Sequence, residues 1–186
     1  MKVDNDHGGG SCKTSLQIAS LPSPNSKANS IVFGLFEVID FYTNVAIIAR
    51  LFQEDVQNLK QMMWRGKEIH VYVFGDCPFL CAMYGLSGSA SKFPCRWCTR
   101  SKQEIQKLLS DRLEKPLRTV KSIKGICKQL QIHGSKQLAS EFMNVIHEPL
   151  WPVPVSRVGP PHLHILLRVV KKHHDLLEDD CHSIDC

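Results

Sequence analysis

The sequence predicts an α/β fold, and three observations predict it. Up to Cys98, short β-branched and aromatic runs alternate with a segment whose apolar residues recur every three or four positions. Beyond Cys98 the pattern turns helical. The composition, 43% hydrophobic and 22% charged over 186 residues, suits one domain of ordinary size with a sizeable core. It excludes a wholly disordered, collagen-like or fibrous chain.

Met1–Asp6 reads as a short strand running into Gly8-Gly9-Gly10, and Lys13–Ala19 alternates as a second. Pro22, Pro24, Asn25 and Ser26 mark a turn. Ser30–Asp40 is β-branched and aromatic, a third strand. In Tyr42–Met63 the spacing of Val45, Ile48, Ala49, Phe52, Val56 and Leu59 predicts one helix with an apolar face. Lys67–Phe74 is a fourth strand ending at Gly75-Asp76, and Phe79–Gly85 a short helix. Helices are then predicted over Lys102–Lys115, Thr119–Gln131 and Lys136–Ile146, with Gly134 terminating the second. Pro149, Pro152, Pro154, Pro160 and Pro161 mark an extended segment, and His162–Glu178 closes as a helix.

Net charge is +5, unevenly spread. Residues 99–136 carry ten Lys/Arg against three Asp/Glu, whereas the stretch from Asp175 carries five acids and no Lys or Arg. A basic middle and an acidic end point to different surfaces, the first suited to a polyanion. No apolar run reaches the ~18 residues of a membrane span, and the polar N-terminus is no secretory signal. The expectation is therefore an intracellular chain, whose 8 cysteines serve as metal ligands, buried apolar groups or free thiols.

Cys95-Arg96-Trp97-Cys98 is the sharpest local signal. Two thiolates on one turn fit a tetrahedral Zn²⁺, the other ligands coming from elsewhere in the chain, with His162, His164, His173, His174, Cys181 and His182 as candidates. A redox pair needs an activated thiol at a helix start, and inert cysteines are the third reading. Asp76 stands at the carboxyl end of a strand, where open α/β sheets build sites. With Asp6 (or Asp4) from the first strand it could share Mg²⁺ ions for phosphoryl transfer; a turn or helix-cap role is the alternative. Gly8-Gly9-Gly10-Ser11 lacks the ending of a phosphate-binding loop and reads as a turn. Trp64, Trp97 and Trp151 are isolated and read as packing residues.

Asp76, then Gly85-Leu86-Ser87-Gly88-Ser89, then Pro94-Cys95-Arg96-Trp97-Cys98 resemble the region around the second catalytic aspartate of DDE-type cut-and-paste DNA transposases. The resemblance is to the hAT-like and Transib-like groups, and above all to the catalytic core of the vertebrate V(D)J recombinase. Asp6-His7-Gly8-Gly9-Gly10 resembles the glycine-rich stretch bearing the first catalytic aspartate. Pro160-Pro161-His162-Leu163-His164 resembles a later element in which Cys or Asp stands three residues before a His, with Pro161 in that place here. The likeness runs from about Asp4 to about Leu177, with sparse identities.

It implies an incomplete ribonuclease H-like core (three strands, a helix and a fourth strand) over 1–92, a mainly helical, zinc-bearing insertion over 93–160, and a His-bearing helix with an acidic end over 161–186. Asp6 and Asp76 would be catalytic and hold two Mg²⁺ or Mn²⁺ ions. Cys95 and Cys98, with His164, would bind Zn²⁺. The partner would be DNA, tracked by the basic 99–136 segment; no membrane is implied, a homodimer is an option, and the location would be the nucleus. The third carboxylate of such enzymes lies further downstream, so the chain is expected to be a fragment, inactive or nearly so alone. A zinc-stabilised DNA-binding or protein-interaction module is the alternative.

Overall fold

Val3, Thr14 and Leu16 explain how the sheet begins. Strand β1 (Lys2–Gly8) pairs antiparallel with β2 (Ser11–Gln17), with Val3 opposite Leu16 and Asn5 opposite Thr14. Successive residues of a strand face opposite sides, so Val3 and Thr14 share one face, and both are buried. Strand β3 (Ser30–Phe36) adds antiparallel to β2, with a register shift between Thr14 and Ser15. The computed structural model of the protein describes residues 1–8, 11–24, 26–36, 42–107, 114–133, 135–160 and 162–184, the side chains of 4–8, 11–12, 36, 136–137, 162–164 and 179–184 excepted.

The next strand of this sheet is reached through a helical crossover, as a parallel neighbour requires. Helix α1 (Tyr42–Leu51) buries Val45, Ala46 and Ala49. At Phe52 the helix breaks, and α2 (Gln53–Leu59) starts with Glu54 and Asp55 in its first turn, where carboxylates favour a helix N-terminus. The single helix expected over Tyr42–Met63 is thus two. Phe52 meets the Phe33 ring edge-on at 4.6 Å, which ties the break to the sheet.

The strand expected over Lys67–Phe74 is also divided. Met63–Trp64 (β4) and Lys67–Glu68 (β5) form a small hairpin about Arg65 and Gly66, both at positive φ. That is the geometry favoured between antiparallel strands. Only Tyr72–Gly75 (β6) joins the main sheet, parallel to β1, giving the order β3-β2-β1-β6. On the far side of β6, Val158 makes a parallel bridge to Val73, and the Gly159 N–H donates to the Val73 carbonyl at 2.9 Å. A Cβ on Gly159 would stand 2.0 Å from the Phe74 ring, so glycine permits this approach.

The α/β class therefore holds: the sheet is mixed, and six α-helices lie among the described residues. Helix α3 (Cys77–Met83) follows β6, with Phe79, Leu80, Cys81, Ala82 and Met83 buried. Helix α4 is Lys102–Gln106, shorter than the expected Lys102–Lys115; Lys107 is already extended, and residues 108–113 lie outside the described ones. Its start is a capping box between Ser101 and Glu104, and Lys115 pairs with Glu104 at 2.8 Å.

Helix α5 (Val120–His133) buries Ile123, Cys127 and Leu130. The helix expected over Lys136–Ile146 is only a 3-10 turn, Lys136–Ser140, because Met143 and Asn144 take left-handed φ and Val145 bridges antiparallel to Leu86. Helix α6 runs His162–Ile184. One buried cluster takes in Val3 and Val73 of the sheet, Ala49, Leu80, Ile123, Val145 and Trp151. The polar tips inside it are satisfied: Trp151 Nε1 donates to the Ala49 carbonyl at 2.9 Å and Tyr84 Oη to the Val153 carbonyl at 3.1 Å.

Candidate functional site

Asn5 lies opposite Gly75 in the parallel ladder, so Asp6 and Asp76 are the next residue along each of two neighbouring chains. Adjacent strands run ~4.8 Å apart, and the last rung of this ladder, Asn5 with Gly75, lies one residue before each aspartate. Asp76 keeps extended dihedrals (φ −72, ψ 176) before α3 begins. Its Oδ1 accepts from the Phe79 N–H at 2.9 Å, so Asp76 is also the N-cap of α3. A carboxylate has about four acceptor positions, of which this cap bond takes one. The side chain of Asp6 is outside the described residues, as is that of Asp4.

The second cluster is built on a turn. Gly85 ends α3 at φ +65, and a Cβ there would lie 2.1 Å from the His147 carbonyl oxygen. The Gly85 carbonyl accepts from the N–H groups of Ile146 and His147. Beyond it, buried Asn144 donates through Nδ2 to Ser91 Oγ, whose hydroxyl sits within hydrogen-bond reach of the Ser87 and Gly88 carbonyls. The Gly-Leu-Ser-Gly-Ser segment is thus laced to residues 144–147 and carries the chain into Cys95 and Cys98.

Those two sulfurs stand 3.2 Å apart, and the Cys98 N–H donates to Cys95 Sγ at 3.3 Å. The spacing is too long for a disulfide at ~2.05 Å and shorter than the ~3.8 Å between two thiolates on one tetrahedral Zn²⁺ with ~2.3 Å bonds. Burial, and then the hydrogen bond that the Cys98 thiol donates to Cys95 Sγ, push the Cys98 thiol up. That is the opposite of the activation a redox cysteine needs.

Arg118 clasps the turn. Its Nε donates to the carbonyls of Cys95 (3.1 Å) and Cys98 (3.0 Å), and one terminal nitrogen to the Met143 carbonyl (2.8 Å). Only 3% of Arg118 is exposed, and its Nη1 has no hydrogen-bond partner. Burial lowers its pKa, while the negative forms of Cys95, Cys98 and Cys81 would raise it. Arg96 is buried too, hydrogen-bonded to the Cys81 sulfur, with its Nε unpartnered. Two buried guanidinium groups are costly unless negative charge is near. Cys95 and Cys98 would be the residues to hold a Zn²⁺ ion, but two thiolates and the ion sum to zero charge, so zinc would not offset the two guanidinium groups; Arg118 is met instead by the carbonyls of Cys95, Cys98 and Met143. Among the described residues, no third His, Cys, Asp or Glu ligand atom gathers with those two sulfurs, and the side chain of His164 is outside the description. A cavity of about 420 Å³ opens beside the turn, lined by Trp97, Leu117, Arg118, Val120, Pro154 and Val155 among others.

Spacing on α5 separates its faces. Lys121, Lys124 and Lys128 are exposed, opposite the buried Ile123, Cys127 and Leu130. On α6, His174, Asp175 and Glu178 bring three ligand atoms within 4.8 Å of one another, with His174 Nδ1 3.6 Å from Glu178 Oε2. The sequence reading named His174 but not this trio, which the i,i+4 spacing of His174 and Glu178 could have given. It also missed Arg118: nothing in the spacing of Leu117-Arg118-Thr119 marks a side chain that reaches back over 20 residues to a turn. No helix among the described residues is long and apolar enough to cross a membrane. Set against known families and curated proteins, the chain matches no family model and no curated sequence.

Proposed function

We propose that the chain is part of a ribonuclease H-like, DDE-type core for metal-dependent DNA strand cleavage and transfer. The observation that carries the reading is the parallel register of β1 and β6, whose last rung, Asn5 with Gly75, comes one residue before each of Asp6 and Asp76. The order β3-β2-β1-β6, with Val158 bridging beyond β6, supports it. So does the motif likeness around Asp76 and Cys95–Cys98.

Asp6 and Asp76 would hold two Mg²⁺ or Mn²⁺ ions, which when bound activate a water or a 3′-hydroxyl and neutralise charge on the phosphate. Cys95 and Cys98, with His164, would hold Zn²⁺ and pin the 93–160 insertion to the core. Lys121, Lys124 and Lys128 would lie along the DNA backbone, in a nuclear protein.

Calorimetric titration with Mn²⁺ tests the reading. The expected result is binding weakened at least tenfold by Asp6→Asn and by Asp76→Asn, with thermal stability retained in Asp76→Asn because asparagine still caps a helix. Equal Mn²⁺ affinity in both variants and in the wild type contradicts it. The buried Arg118 clasp at the Cys95–Cys98 turn favours a second reading, a zinc-stabilised DNA-binding or protein-interaction module. That module predicts metal-dependent folding with no Mn²⁺ site at the two aspartates.

A further inference from the structure

Helix α6 carries an apolar stripe that its own chain leaves uncovered. Every described side chain from Ile165 to Glu178 is exposed except half-buried Asp175. Leu167, Val170 and Leu177 are 56%, 57% and 65% exposed. They belong to a seam with alternating steps of four and three: Leu163, Leu167, Val170, His174, Leu177, Cys181 and Ile184. Over about three heptads this is the spacing of a coiled-coil contact, with one polar layer at His174. Exposed apolar surface of this kind marks an interaction site.

The charge order on the helix identifies the occupant. Arg168, Lys171 and Lys172 lie in the first half, and Asp175, Glu178, Asp179 and Asp180 in the second. A second copy laid parallel would set Lys171 against Leu166 and Glu178 against His173, leaving the two oppositely charged halves apart. Laid antiparallel and crossing at His174, it sets the basic half of each helix against the acidic half of the other. That register places Leu167 level with Cys181, and Val170 within one residue of level with Leu177. Lys171 and Glu178 flank the same side of the seam, at equivalent heptad positions, so they meet across the interface twice. A two-fold axis through the His174 layer generates all of this from one sequence, as an isologous dimer requires.

We propose that α6 pairs antiparallel with the α6 of a second copy of this chain, crossing at His174. The pairing is independent of the nuclease reading.

Sedimentation equilibrium on the full chain tests it. The expected result is a dimer at about 10 µM in low salt that loosens as salt rises. Lys171→Glu and Glu178→Lys each place like charges together twice and should raise the dimer Kd at least tenfold, by the logic of flanking charges that set partner choice. An equimolar mixture of the two variants restores both contacts and should give the heterodimer. Leu177→Asp, checked for retained helix by circular dichroism, should be monomeric. A wild type that stays monomeric at about 100 µM overturns the proposal and leaves the stripe to another protein. Single charge variants that dimerise like the wild type, or a mixture without heterodimer, overturn it as well.

Discussion

Arg118 ties together two segments that no local pattern in the sequence marks as neighbours. It is buried, holds three backbone carbonyls on two segments, and has one nitrogen without a partner. Arg118→Ala removes those bonds and leaves the carbonyls of Cys95, Cys98 and Met143 wanting donors. The expected loss is about 3 kcal/mol in urea unfolding, with Lys a poor replacement because it lacks the planar fork. The thiols give a pH signature. In metal-free protein the folded pKa of Cys98 lies above the ordinary 9.0. Its protonated form therefore favours the folded chain below the unfolded value, and that contribution fades as pH rises through the folded one. A thiol-alkylation profile of the metal-free chain should show slow reaction at this cysteine at pH 7. Fast alkylation there would restore the redox reading.

At the scale of elements, Gly85 and the α4 cap make separable predictions. Gly85→Ala meets both a positive φ and a carbonyl oxygen 2.1 Å away, and about 3 kcal/mol or more should be lost, read by thermal or urea unfolding. In α4, hydrogen bonds from Lys115 and then Ser101 pull the Glu104 carboxyl down to about 2. A depressed carboxyl stabilises the fold above its unfolded value. The cap and the Lys115 pair should therefore be lost as pH falls from the ordinary 4.5 toward 2, seen as local unfolding of residues 101–107 in amide exchange.

The same scale shows what the sequence made legible. Helix α5 was readable because one face is buried at a plain period, β1 and β2 because Val3 and Thr14 turn inward, and β3 from its β-branched and aromatic composition, although Ile31, Val32 and Leu35 are exposed. The Tyr42–Met63 helix and the Lys67–Phe74 strand were overrun because periodicity continues through local breaks: one at Phe52, the other at the Arg65-Gly66 turn and its short hairpin. The turn at Asn144 was hidden because its left-handed backbone is held by distant partners, Leu86 and Ser91. Asp76 was found by its place after a strand, and its capping role by the same token. The Arg118 clasp was invisible because no local pattern encodes it.

For the molecule as a whole, charge is divided between a basic middle and an acidic end. If Lys121, Lys124 and Lys128 track phosphates, DNA affinity should fall with salt, and Lys124→Gln should lower the slope of log K against log salt by about 0.9 for duplex DNA. An unchanged slope would remove that lysine from the interface. The central claim remains the proposal that Asp6 and Asp76, far apart in sequence and each one residue beyond the last rung of the β1–β6 ladder, share a divalent cation. Affinity cleavage tests it directly, with Fe²⁺ substituting for Mg²⁺ in the presence of ascorbate and hydrogen peroxide. Backbone cuts near residue 6 and near residue 76, both suppressed by excess Mg²⁺, are predicted. Cuts confined to the Cys95–Cys98 turn or to His174 on α6, with neither aspartate segment touched, would contradict it.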